Sequence, residues 1–190
     1  LTVDPGETGN VQVRFEPNAS GIESTEMVLR SNDSEQASAR IELVGTGVQA
    51  RLTVQPSALN FGSVRIGSYV DTTILLSNEG NATLDLRNAL FEHSAFRLLN
   101  QLPTSLSPGQ KALVRLRFVP LVARGISSNL IVSASQGIIR EVPVDGVGTA
   151  ADITLSSYAV DFGTVDLMGM RVETIELSNS GNADLNISSF

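Results

Sequence analysis

The chain has 190 residues, 42% of them hydrophobic, enough for one or two folded domains and too few for an elaborate multidomain enzyme. It contains no Cys, no Trp, one His (His93) and one Lys, which excludes a disulfide frame, a thiolate nucleophile, cysteine-ligated zinc and a multi-histidine metal site. Its net charge of −7 argues against a general nucleic-acid binder, and no apolar run approaches the roughly 20 residues that cross a bilayer.

Taken in chain order, the elements read as strands. Asn10–Phe15 alternates Val11, Val13 and Phe15 on one face, and Pro17, which cannot donate to a sheet ladder, closes it. Gly45-Thr-Gly47 is expected to serve as an inter-domain bend. Phe61-Gly62 is expected to end an early strand, with Phe in the core and Gly allowing the backbone to bend. Ile74 and Leu76 share a face, with Leu75 outward, and Leu84 with Leu86 gives the next strand. Between them, Asn78-Glu-Gly-Asn81 predicts a tight turn that draws on the tolerance of Gly and Asn for positive φ. Asn88–Leu102 has a weak helical stripe, but a connector with a short strand at Phe96–Leu99 suits its all-β surroundings better. Lys111–Phe118 then places Ala112, Val114, Leu116 and Phe118 on one face, with Lys111, Arg115 and Arg117 opposite, and Pro120 closes it. Gly146-Val-Gly148 reads as a second bend. About seven strands fit the stretch 50–149.

The chain repeats itself. Residues 50–89 recur as 151–190 with 15 identities in 40 positions, including Phe61-Gly62 as Phe162-Gly163 and Ser77–Ala82 as Ser178–Ala183. Pro5-Gly6 and Val13–Pro17 correspond to Pro108-Gly109 and Leu116–Pro120, and Gly45-Thr-Gly47 to Gly146-Val-Gly148. A period near 100 residues is too long for a solenoid repeat and suits an Ig-like β-sandwich. The expected organisation is the C-terminal half of one repeat at 1–49, a complete repeat at 50–149 and the N-terminal half of a third at 150–190. The charge divides with it: −5, +3 and −5. The chain starts Leu-Thr-Val-Asp, without Met, and reads as a piece of something longer.

Phe61-Gly-Ser-Val64, Leu76–Leu84, Pro108-Gly109, Arg117-Phe-Val-Pro120 and the closing Gly146-Val-Gly148 together resemble the ASH/Hydin-type Ig-like repeat. The same pattern resembles bacterial choice-of-anchor D surface proteins and, more distantly, PapD-like and major-sperm-protein domains. Met168-Gly169 departs from it, since the glycine stands one position later than in Ile66-Gly67. The resemblance implies a non-catalytic module used in tandem arrays, in large secreted or surface proteins of bacteria and in ciliary or centrosomal proteins of eukaryotes. Twelve Arg against one Lys suggests a GC-rich, bacterial source.

Individual residues offer little chemistry. His93 lies between Glu92 and Ser94, but no nucleophile motif accompanies it. Asp33, Glu35, Asp145, Asp161 and Asp166 are scattered, without the spacing of a calcium loop. Lys111, Arg115, Arg117 and Arg124 form a basic cluster lacking the interleaved aromatics of a single-strand nucleic-acid site. Four Asn-x-Ser/Thr sequons, at Asn18, Asn32, Asn81 and Asn186, are explained by turn chemistry without glycosylation. The expectation is therefore no catalytic, metal or cofactor site, and a spacer or adhesive rod whose partners are proteins, at the cell surface or secreted. The alternatives are an intracellular ciliary or centrosomal scaffold, or a filament in which residues 150–190 of one copy complete residues 1–49 of the next.

Overall fold

The computed structural model describes residues 1–189, and among these every extended element is a β-strand. The N-terminal hairpin pairs β1 (Gly21–Arg30) with β2 (Ser38–Gly47), from Gly21 opposite Gly47 to Arg30 opposite Ser38. The central body, from Leu52 to Thr149, holds β3 (Leu52–Gln55), β4 (Leu59–Arg65), β5 (Val70–Asn78), β6 (Leu84–Phe91) and β7 (Phe96–Leu98). It continues with β8 (Ser105–Leu106), β9 (Lys111–Phe118), β10 (Gly125–Ala134) and β11 (Ile139–Thr149). A last pair joins β12 (Ile153–Leu155) to β13 (Leu177–Asn179).

Two sheets close the central body. One has the order β4-β11-β10-β6-β8, the other β3-β5-β9-β7. β3 and β4 form one leading strand that changes sheets: β3 runs antiparallel to β5, and β4 runs parallel to β11. Alternation decides which side chains meet between the sheets, because successive residues of a strand point to opposite faces. Thus Val114, Leu116 and Phe118 of β9 are buried while Lys111 and Arg115 are exposed, as their sequence pattern predicts. Ile74, Leu76, Leu84, Leu106, Leu130, Val132, Val142 and Val144 complete the buried set. At its centre Phe61, Phe96 and Phe118 pack ring on ring, with centroids 4.8–5.6 Å apart. Offset aromatic packing of this kind adds to the area buried. This is an all-β, Ig-like sandwich.

Several local expectations are corrected. Phe61 plugs the core, but Gly62 does not end the strand: β4 runs on to Arg65. Gly62 has φ +69° and sits where the β4–β11 register shifts, so it makes a bulge. Asn60 Oδ1 accepts a 2.6 Å hydrogen bond from Gly62 N–H and fixes the local turn, as Asp161 Oδ1 does for Gly163 N–H at 2.8 Å. Gly146 and Gly148 are not bends but interior residues of β11, and Gly47 ends β2 in register with Gly21. Their service is close packing: a Cβ at Gly146 would stand 2.5 Å from the Phe118 ring, and one at Gly148 would collide with the Val122 carbonyl. Gly45 over Phe15 repeats the first of these contacts and Gly47 over the Ala19 carbonyl repeats the second.

The short strand expected near Phe96–Leu99 is β7. The strand expected at Asn10–Phe15 does not form. Its counterpart β9 is held by β5 and β7, whereas among the described residues no strand pairs with Asn10–Phe15. Without a neighbour to take up its N–H and C=O groups, an extended segment is not a strand. Finally, the turn Ile66–Tyr69 uses a left-handed Gly67 (φ +83°), and its counterpart places Met168 in the same conformation (φ +63°). The displaced Gly169 thus leaves the turn itself intact: Gly169 N–H donates to Asp166 O as Ser68 N–H donates to Arg65 O.

Candidate functional site: the joint between units

Val48–Arg51 alone separates β2 from β3, and Ala150–Asp152 alone separates β11 from β12. The Asn-x-Gly-Asn turn that follows β5 reaches back to grip the first of these connectors. Asn81 Oδ1 accepts from Gln49 N–H at 2.7 Å, and Asn81 Nδ2 donates to Gly47 O at 2.9 Å. Its own backbone N–H donates to Gln49 O at 2.9 Å. Gly80 lets the two segments approach, since a Cβ there would collide with the Gln49 carbonyl. Neither Gly80 nor Asn81 has positive φ, so the glycine serves proximity and not the left-handed turn expected of it.

The second junction repeats this contact for contact. Asn182 Oδ1 accepts from Ala150 N–H at 2.9 Å, Asn182 Nδ2 donates to Gly148 O at 2.9 Å, and a Cβ at Gly181 would collide with the Ala150 carbonyl. Asn78 anchors the turn from inside. Fully buried, it donates from Nδ2 to Ala82 O and Leu106 O and accepts at Oδ1 from Gly80 N–H and Arg51 N–H. Asn179 makes the equivalent bonds to Ala183 O, Gly181 N–H and Asp152 N–H. A primary amide has two donors and a two-fold acceptor, so one side chain can hold three segments at once. Glycosylation at the Asn81 sequon would put a sugar on the nitrogen that donates to Gly47 O, leaving it one N–H and crowding the joint.

The other sequence candidates are placed as follows. His93 Nδ1 accepts from Ala95 N–H at 3.1 Å, and its ring lies edge-on to Phe96, a structural role. Asp33 Oδ1 accepts from the N–H groups of Glu35 and Gln36 in the β1–β2 loop. These bonds, that of Gln36 first, hold its carboxyl below its ordinary value. Among the described residues no cluster of three or more His, Asp or Glu side chains could hold a metal, so the five acids are not gathered into one site.

Lys111, Arg115 and Arg117 do share the outer face of β9, with Arg124 in the loop beyond it, but this face is not free of aromatics. Arg117 forms a paired hydrogen bond with Asp71, Nε to Oδ1 at 2.7 Å and Nη2 to Oδ2 at 2.8 Å, and stacks 3.6 Å from the Tyr69 ring centroid. Sequence reading missed Tyr69 and Asp71 because they come from the turn before β5 and from β5 itself, and only the register of Asp71 opposite Arg117 brings them to β9. The Arg117 hydrogen bonds hold the Asp71 carboxyl below its ordinary value. Stability from this pair is therefore present above the ordinary carboxylate range and is lost as pH falls through the depressed value. In pH-dependent urea unfolding, the wild-type advantage over Asp71→Asn is expected at neutral pH and to vanish at strongly acid pH. An advantage constant with pH would show that the ion pair does not contribute.

Comparison with known proteins bears on the central body. Residues 50–143 match the model for the HYDIN/CFA65/VesB-like Ig-like domain. Cilia- and flagella-associated protein 65 of Mus musculus is 43% identical over 54 residues, 28% of this chain and only 3% of that protein's length. Among solved structures, a protein of unknown function from Porphyromonas gingivalis W83 is similar with TM-score 0.47 and 18% identity, over 70% of this chain and 68% of that one. The ASH/PapD-like domain 7 of human CEP192 is similar with TM-score 0.44 and 14% identity, over 53% and 87% respectively. The anchors from Phe61-Gly62 to Arg117-Phe-Val-Pro120 thus fall within the stretch, residues 50–143, that matches the HYDIN/CFA65/VesB-like Ig-like domain.

Proposed function

We propose that the chain is a non-catalytic stretch of a tandem Ig-like array, acting as a spacer and protein-interaction rod in a larger surface or secreted protein. In this reading residues 1–49 are the back half of one unit, 50–149 a whole unit and 150–190 the front half of the next. The observation that carries it is the joint: at both junctions the same asparagine grips the backbone of the preceding unit's last strand and connector. Connectors this short, bonded at both N–H and C=O, limit relative motion that neighbouring domains otherwise show by default. Because the clasp reads only main-chain atoms, one unit can follow another without a matched side-chain interface.

Asn81→Ala is expected to loosen the first joint while leaving the central body folded. Since the chain has no Cys, spin labels can be placed at Ser38→Cys and Asp145→Cys. Pulsed electron resonance should give a narrow distance distribution for the parent and a clearly broader one with Asn81→Ala. A broad distribution in the parent would overturn the spacer reading. A second reading, an intracellular scaffold of ciliary type, draws on the 54-residue likeness to the mouse cilia- and flagella-associated protein. Signals at the ends of the full parent protein separate the two: a secretion signal favours the surface rod, and its absence the scaffold.

A further inference from the structure

The four-stranded sheet of the central body turns one face to the core and the other to solvent, and the two faces follow different rules. On β9 the inward residues Val114, Leu116 and Phe118 are matched by apolar Val11, Val13 and Phe15. The outward ones are not matched. Leu113 and Arg115 stand where residues 1–49 have Asn10 and Gln12, and Leu75 on β5 stands where residues 150–190 have Glu176. Register sets half-buried Leu75 directly opposite Leu113, which is 63% exposed. The recurring pattern thus requires neither leucine, yet here they form an apolar pair facing water.

Cations surround that pair. The strands of this sheet, β3, β5, β7 and β9, carry Arg97, Lys111, Arg115 and Arg117 against one carboxylate, Asp71. Asp71 is taken by Arg117, with Arg115 Nη2 3.9 Å away, and among the described residues Arg97 and Lys111 form no ion pair. Arg97 lies directly opposite Arg117. Like charges opposed across two strands cost stability, so folding does not explain their concentration here. The sheet edge beside them is closed. Asn100 Oδ1 accepts from Arg115 N–H at 2.6 Å and its Nδ2 donates to Leu113 O at 3.1 Å, so the β9 backbone beyond β7 is already paired. A partner must therefore lie over the face and read side chains.

We infer that this face binds an extended, acidic segment of another protein that carries an apolar residue among its acids. It gives the interaction rod proposed above a face and a kind of partner, and rests on that reading. Along β9 the outward residues run Lys111, Leu113, Arg115 and Arg117, about 7 Å apart. Alternate residues of an extended segment have the same spacing, so an apolar side chain meets the leucine pair while its acidic neighbours meet the cations. A nucleic acid fits less well. Tyr69 already carries Arg117 on its ring, 3.6 Å from the centroid, and a phosphate backbone makes no use of two leucines.

The test titrates the isotope-labelled full chain with the peptide Glu-Ser-Glu-Ser-Leu-Ser-Glu, and with its reverse, to about 1 mM, and follows the amides by nuclear magnetic resonance. One of the two peptides should shift amides of β5, β7 and β9 and leave the five-stranded sheet unmoved, with affinity falling as salt is added. The double variant Leu113→Asn, Arg115→Gln, which installs the residues found at the matching positions 10 and 12, should weaken binding at least about tenfold. Leu75→Glu should do the same, and all three positions being on the outer face, circular dichroism and urea unfolding of these variants should match the parent. Arg87→Gln, on β6 of the other sheet, should change nothing. Equal shifts with serine in place of the peptide leucine, or with lysine in place of its glutamates, would overturn the inference, as would no shift with either peptide. Tighter binding of an oligothymidylate of about 15 nucleotides at these strands would overturn it in favour of nucleic acid. A parent whose first joint is narrow by electron resonance, yet binds neither peptide, overturns this inference alone and leaves the rod.

Discussion

Asn78→Ala is expected to destabilise the central body by about 3–4 kcal/mol, out of proportion to the three atoms removed. The side chain is fully buried, and its four hydrogen bonds reach the connector at Arg51, the turn at Gly80 and Ala82, and Leu106 on β8. β5, which carries Asn78, belongs to the four-stranded sheet, and β8 to the five-stranded one, so this amide ties the two sheets together at one end. Removing it leaves two carbonyls and two N–H groups without that partner, and a buried unsatisfied group costs about 1–3 kcal/mol. Not all four are equally sequestered, which brings the sum to the lower figure. Asn78→Asp sharpens the test. The carboxylate keeps the acceptor for Arg51 and Gly80 but loses both donors and adds a buried charge, so it should be at least as damaging as alanine. Urea unfolding followed by circular dichroism, the chain having no Trp, measures both. A loss below about 1 kcal/mol for alanine would mean that water enters and satisfies the carbonyls, and that the sheets are not tied here.

The alternation of β9 was legible because each residue's face is a local property: Val114, Leu116 and Phe118 point inward whatever the rest of the chain does. The repeat was legible for the same reason, since equal residues at equal spacing need no geometry to be seen. The glycines were misread because their reason is not local. Gly80, Gly146 and Gly148 look like turn formers in sequence, whereas each is required by an atom far away: the Gln49 carbonyl, the Phe118 ring and the Val122 carbonyl. The joint was hidden likewise. Asn81 and its partner Gly47 are 34 residues apart, and a turn asparagine explains itself too easily to prompt a search for a distant partner. One signal was available: the second asparagine of the turn recurs as Asn182, although a turn needs only the glycine and one flexible neighbour. Asp71 with Arg117 and Tyr69 was invisible for a third reason, that strand register is a tertiary quantity.

The same substitution made in two copies of one motif separates burial from identity. Phe118→Ala is expected to cost about 3–5 kcal/mol, the range for emptying a large aromatic from a packed core. Phe118 is wholly buried, stacked on Phe96 at 4.8 Å and against Phe61 at 5.6 Å, and roofed by Gly146. None of these neighbours can follow a shrinking side chain, because Phe61 and Phe96 belong to β4 and β7 in opposite sheets. Phe15→Ala removes the same atoms from the matching position under Gly45, but Phe15 is half exposed and has no such rings above it. Measured on dilute, monomeric chain, its cost should stay below about 1 kcal/mol. The glycine roof gives a second handle. Gly146→Ala drives a methyl to 2.5 Å from the Phe118 ring and should be strongly destabilising, while in a Phe118→Ala background the methyl enters the space left by the ring. The double variant should therefore lose clearly less than the two single losses added together, a coupling readable from a four-membered urea-unfolding cycle. Additive losses would mean that β11 moves away from β9 when the ring goes. Equal losses at positions 15 and 118 would mean that burial does not set the difference between the two sites.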